Sequence, residues 1–148
     1  MMKNYRRILL ATDFSPSAAP GFKEALDVAR DSGAELLIAY AYEPPNLDQQ
    51  AATRPTVFDE LSRKDRVEID AKLEPLLQQA QKQQIKARPL VLTGTPDEAI
   101  AEAARKNEVD LIIMGKPRRK GVARAVKGSV ASHVISEATC PVMTVPPA

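Results

Sequence analysis

Three short stretches of this 148-residue chain carry groups suited to chemistry. Thr12-Asp13-Phe14-Ser15 puts a carboxylate between two hydroxyls at the end of the apolar run RILLAT, 7–12. An aspartate there can accept a ribose hydroxyl or hold a hydrated Mg²⁺ near phosphates. It can equally do no more than order the following turn with Ser15. Gly128-Ser129 stands where helical spacing resumes at Val130, Val134 and Ile135. A helix N-terminus there offers unpaired N–H groups and the positive end of the dipole, and Gly128 lets an anion approach the backbone. The plainer alternative is an ordinary helix cap. Between Gly115 and Gly128 runs KPRRKGVARAVK, with six cations and no acid. It suits either a nucleic-acid backbone or the phosphates of a small ligand.

The distribution of charge favours the small ligand. The chain has 21 Lys plus Arg against 19 Asp plus Glu, a net +2, and setting aside the six cations of 116–127 leaves −4. The positive charge is therefore local. Only 4% of residues are aromatic and none lies in the basic stretch, so the stacking platforms of nucleic-acid binders are missing and nucleic acid is not the expected partner. With one cysteine, Cys140, and one histidine, His133, neither an internal disulfide nor a cluster of soft metal ligands can be built. If both lay on one helix, seven positions would separate this pair by about 10 Å, too far for a nucleophile and its base. After MMKNYRR comes only the short run Ile8–Thr12, so neither a signal peptide nor a membrane span is expected, and the compartment expected is the cytoplasm.

The elements that must position these groups are legible as periodicity. Short runs recur at RILLAT (7–12), ELLIAYAY (35–42), ARPLVLTG (87–94), DLIIMG (110–115) and PVMTV (141–145). They are continuously apolar rather than alternating, which indicates parallel strands covered on both faces. Helical spacing separates them: Phe22, Ala25, Leu26 and Ala29 recur at i, i+3, i+4, i+7, as do Leu73, Leu76, Leu77 and Ala80. Ser17 is the expected N-cap of the first helix, and Thr95-Pro96-Asp97-Glu98 reads as a capping box with proline at the first helical position. Asp97 and Glu98 are explained by that role. The second helix, roughly 57–84, should kink or break at Pro75. The stretch 43–56 has no apolar period and reads as a long loop, either a lid or a disordered excursion. The length suits one domain, 1–148, burying roughly 70% of its unfolded surface. In such a sheet, ligands bind beyond the carboxyl ends of the strands where strand order reverses, at the ends of the first and fourth.

With those motifs in place the chain resembles the universal stress protein family, small α/β domains related to adenine nucleotide α-hydrolase folds. The likeness rests on RILLATDFS at the first strand and turn, Gly94-x-Pro96 with Ile100, VDLIIMG at the fourth strand, GSV at the last helix, and CPVMTV at the end. It implies a Rossmann-like open five-stranded parallel sheet of order 3-2-1-4-5 with helices on both faces. It also implies a homodimer pairing through the last strand, 141–145. The nucleotide-binding branch carries Gly-x-x-Gly, nine residues, then Gly-Ser or Gly-Thr. Here Gly115 and Gly128-Ser129 match, while Arg118 stands where the second glycine belongs.

Carried over residue by residue, the resemblance implies ATP with Mg²⁺, held by Ala11, Thr12, Asp13, Ala41, Met114, Gly115, Arg118, Gly128, Ser129 and Val130. Asp13 would meet the ribose or the metal–phosphate region, and the backbone of Ala41 would meet adenine. Losing one charge-assisted N–H contact at Arg118 would cost about 1.5–3 kcal/mol, roughly 10- to 150-fold in affinity. A guanidinium fork on phosphate would offset part of that. The expected function is a dimeric regulatory or stress-response module governed by ATP occupancy. The alternatives are an interaction module of the same fold without nucleotide, and slow ATP hydrolysis or self-phosphorylation. The sequence lacks both the P-loop lysine pattern and the Ser-Gly-Gly-x-Asp-Ser loop, so strong turnover is not expected.

Overall fold

The computed structural model describes residues 4–42, 63–115 and 130–147. Five strands, β1 (Arg7–Ala11), β2 (Glu35–Tyr42), β3 (Ala87–Thr93), β4 (Leu111–Gly115) and β5 (Val142–Val145), form one parallel sheet of order β3-β2-β1-β4-β5. The helices between them are α1 (Ala19–Ser32), α2 (Arg63–Lys82), α3 (Pro96–Lys106) and α4 (Val130–Glu137). The expected fold class and strand order are both present.

Successive strand side chains point to opposite faces, and each face here has its own core. Ile8, Leu10, Leu36, Ile38, Leu111 and Ile113 pack under α1 and α2. Leu9, Ala11, Leu37, Ala39, Ile112 and Met114 pack under α3 and α4. Both faces are thus dry, which is why the central strands read as unbroken apolar runs. Pro89, which cannot donate to a ladder, lies on the edge strand β3.

Several local expectations need correction. Ser17 does not cap α1: Pro16–Ala18 form a 3₁₀ turn, Ala18 precedes the helix, and no side chain caps it. Helix α1 ends at Gly33, whose φ of 69° suits a residue without Cβ. Thr95 and Pro96 do open α3, but the Thr95 side chain makes no capping hydrogen bond. Asp97 instead approaches His133, Oδ2 to Nδ1 3.5 Å, linking the first turns of α3 and α4.

Helix α2 runs unbroken through Pro75; residues 57–62 of its expected span lie outside the described residues. Proline costs a helix about 3 kcal/mol, but burying Ile69 and Leu73 returns about 1.5–3 kcal/mol each. Burial therefore outweighs the break. In α4 the core-facing residues are Ala131 and Val134, while Val130 and Ile135 are exposed. The stretch 43–56, expected as a long loop, lies outside the described residues. Among those described, no helix is long and apolar enough to cross a membrane.

Candidate functional site

The chain passes from β1 to β2 on one side of the sheet, and β4 pairs with β1 on the other. Strand order therefore reverses between β1 and β4. Ala11, the last residue of β1, pairs with Ala39 and Met114. Beyond it β2 continues for three residues along β3, and β4 for one along β5. The shorter central strand leaves a recess between two higher walls.

That recess is a cleft of about 410 Å³, within the range of small-molecule sites. Its floor is small and apolar: Ala11, Ala18, Ala39 and Ala131 are all buried. The starts of α3 and α4 border it through Pro96, Ile100, Val130 and Ala131. Thr12, Asp13, Ser15 and Ser17 supply the polar rim. A flat apolar body can lie on such a floor while its polar groups meet the rim.

The rim is ordered by its own hydrogen bonds. The Ser15 N–H and Oγ–H both donate to Asp13 Oδ1, at 2.9 and 2.6 Å. The Phe14 N–H donates to Thr12 Oγ1 at 3.0 Å, and the Thr12 N–H to the Ala39 carbonyl at 3.0 Å. Asp13 thus does order the turn, yet both bonds fall on Oδ1. Its second oxygen accepts no protein hydrogen bond among the described residues. Between these polar residues Phe14 adopts φ 65°, a left-handed conformation costing a side-chain-bearing residue about 1–2 kcal/mol. Burial, followed by the charges of Asp13 and Asp65, pushes the nearby Tyr40 phenol above its ordinary range.

Of the residues singled out in the sequence, Ala11, Thr12, Asp13, Ala41, Met114, Gly115 and Val130 line this one cleft. Arg118, Gly128 and Ser129 lie outside the described residues. The sequence reading gave no binding role to Ser17, Ala18, Ala39, Pro96 or Ala131. Ala39 was within reach: two residues before Ala41 on one strand, it must share its face. Ser17 was not, because its place follows from a tertiary contact.

Gly115 has a packing role as well. A Cβ there would lie 3.0 Å from the Ser17 carbonyl oxygen and 3.2 Å from Ala18 Cα, so the bare backbone lets the 3₁₀ turn close against β4. Among the described residues no group of three or more His, Cys, Asp or Glu is placed to hold a metal. Cys140 lies beyond the end of α4 rather than on it, so the helical spacing from His133 does not apply. Burial, with the charge of Asp110, pushes its thiol upward, opposite to an activated nucleophile.

Comparison with known proteins agrees with this architecture. The sequence profile of the universal stress protein family matches residues 4–146. A universal stress protein of Thermus aquaticus is 33% identical over 142 residues, covering 95% of this chain and 98% of its own. Among solved structures, a universal stress protein in complex with cAMP superposes with a TM-score of 0.75 at 23% identity, covering 99% of this chain and all of that one. The universal stress protein from Archaeoglobus fulgidus in complex with dAMP superposes at 0.68 and 20% identity, with 97% and 99% covered.

Proposed function

The chain belongs to the universal stress protein family, and from that premise we propose that it binds ATP in the cleft at the carboxyl ends of β1 and β4, as a dimeric cytoplasmic regulatory or stress-response module. The observation that carries this reading is the convergence of Asp13, Ala41, Met114, Gly115 and Val130, distant in sequence, on one cleft with an apolar floor and a hydroxyl-rich rim. Two structural neighbours hold cAMP and dAMP, so adenine with a sugar and phosphate is the chemistry common to both.

Each part of such a ligand has a counterpart here. The alanine floor offers an apolar face to a purine. Oδ2 of Asp13 is the acceptor for a sugar hydroxyl. The first turn of α4, whose Val130 and Ala131 border the cleft, would offer N–H groups and the helix dipole to phosphate; on this reading Gly128-Ser129 and the cations of 116–127, outside the described residues, would add backbone donors and charge. The donor set suits Mg²⁺ only in part. This ion usually takes one or two carboxylates and completes its shell with water and substrate phosphates. Asp13 is the residue that would hold it, and the ion would neutralise phosphate charge. Among the described residues lining the cleft, Asp13 is the carboxylate available as a general base, and on this reading the ligand serves as a bound signal. Pairing of two copies through the edge strand β5 would complete the dimer.

Titration calorimetry with ATP and Mg²⁺ tests the reading, using wild type, Asp13→Ala and Gly128→Val. Heat in the wild type, with affinity at least tenfold weaker in both variants, is expected. No heat from wild type at millimolar nucleotide would sink it.

A further inference from the structure

The turn that brings Asp13 to the cleft has a second side. Asp13 and Ser15 border the cleft and reach the opposite face of the sheet as well, where the ring of Phe14 between them packs with the core. There it borders a groove of about 840 Å³ between α1 and α2, with Phe22, Leu26 and Leu76. The ring stacks on Tyr40 with centroids 4.9 Å apart and planes tilted by 31°. The Lys72 ammonium lies 5.8 Å from its centre.

A bulky residue holds φ 65° only where its surroundings over-determine it. Glycine would take that conformation freely, so whatever Phe14 contributes comes from its ring. Clamping the ring on the far face fixes the two peptide planes that flank it. Those planes set where the Asp13 carboxylate and the Ser15 N–H meet. We infer that Phe14 is a positioning residue for the cleft: anchored against Tyr40 and Lys72, it aims Asp13 through the Asp13–Ser15 turn and links the cleft to the α1–α2 groove. Because binding couplings are reciprocal, a ligand on Asp13 and a disturbance of the groove influence each other by the same factor. The inference rests on the nucleotide reading of the cleft only for its ligand arm.

A double-mutant cycle separates positioning from general destabilisation. ATP and Mg²⁺ are titrated into wild type, Phe14→Gly, Asp13→Ala and the double variant, with folding checked by circular dichroism. Phe14→Gly is expected to weaken binding about tenfold, the double variant to bind no more weakly than Asp13→Ala, and Phe14→Tyr to match wild type. Fold-losses that multiply in the double variant, or a Phe14→Gly protein binding like wild type, overturn the inference.

The ligand-free arm reads exchange of the Ser15 amide proton by NMR. Protection is expected in wild type and Phe14→Tyr, with loss in Phe14→Gly equal to that in Asp13→Ala. Unchanged protection in Phe14→Gly overturns the inference. A wild type that gives no heat overturns the nucleotide reading, while the Ser15 amide still decides the positioning role. Should Phe14→Gly not fold, Phe14→Leu, which keeps apolar bulk without an aromatic face, takes its place with the same outcomes.

Discussion

Gly21 and Gly115 meet backbone to backbone: a Cβ on Gly21 would stand 3.2 Å from the Gly115 nitrogen and 3.4 Å from the Met114 carbonyl carbon. Together the two glycines let α1 and the 3₁₀ turn before it rest directly on the end of β4. That contact brings Ser17 and Ala18 to the cleft wall. The same absence of a side chain at Gly115 that a phosphate would need is therefore already used within the fold.

Replacing either glycine by alanine should be costly for that reason. Gly115→Ala puts a methyl against backbone atoms of Ser17 and Ala18, which cannot yield as a flexible side chain would. The expected destabilisation is about 1–3 kcal/mol, a fall in Tm of roughly 3–10 °C, with Gly21→Ala at the lower end. Thermal unfolding followed by circular dichroism checks both; a Gly115→Ala protein as stable as wild type would show that the contact is slack.

At the opposite, amino-terminal end of the strands, Glu35 accepts hydrogen bonds from Arg7 Nε at 3.1 Å and Arg88 Nε at 3.0 Å. Burial tends to raise its carboxyl, but the bonds and charges of Arg88 and Arg7 outweigh it and hold the pKa below 4.5. The stability linked to this group is present above pH 4.5 and is lost as the pH falls through the lowered value. Glu35→Gln should cost about 1 kcal/mol at pH 7, since both guanidinium groups are partly exposed. In acid the difference from wild type should shrink. Urea midpoints at pH 7 and below pH 4 measure it.

Tyr42 behaves in the opposite sense. Its hydroxyl donates to Asp65 Oδ2 at 2.6 Å, and that bond, then burial and the charges of Asp65 and Tyr40, push the phenol up to about 12. The stability it contributes is complete below pH 10 and is lost as the pH rises through about 12. Ultraviolet titration of the three tyrosines should show a late step that Tyr42→Phe abolishes. If the step lost in that variant lies near pH 10 instead, the bond does not form in solution.

The thiol of Cys140 gives a test of chemistry rather than stability. Because burial and Asp110 push it upward, its thiolate fraction at pH 8 is below that of a free cysteine. Alkylation by iodoacetamide should run several-fold slower than that of a cysteine peptide, and Cys140→Ser should leave nucleotide affinity unchanged. Fast alkylation would reopen the pair with His133.

What the sequence determines by itself follows from local physics. Apolar runs of strand length separated by 3.6-residue periods specify five parallel strands and four helices, because side-chain alternation and helical spacing are properties of neighbouring residues. A carboxylate after β1 is legible for the same reason, since strand ends are visible locally, and the structure brings Asp13 to the cleft. Even the small face of β2, Ala39 and Ala41, is a matter of counting by two.

The tertiary structure alone decides the rest. Ser17 reads as a cap in isolation, yet it lines the cleft because Gly115, nearly a hundred residues away, leaves room for its turn. Asp97 reads as a first-turn acid that complements the helix dipole, yet α4 also brings His133 to within 3.5 Å of it, a partner that no local spacing announces. Pro75 reads as a helix breaker, and the burial of Leu73 and Ile69 against the sheet overrides it. The positive φ of Phe14, and the packing of its ring against the core of the far face, arise only where β2, α2 and the Asp13 turn meet. Contacts between distant segments depend on how whole layers pack, and no local period encodes them.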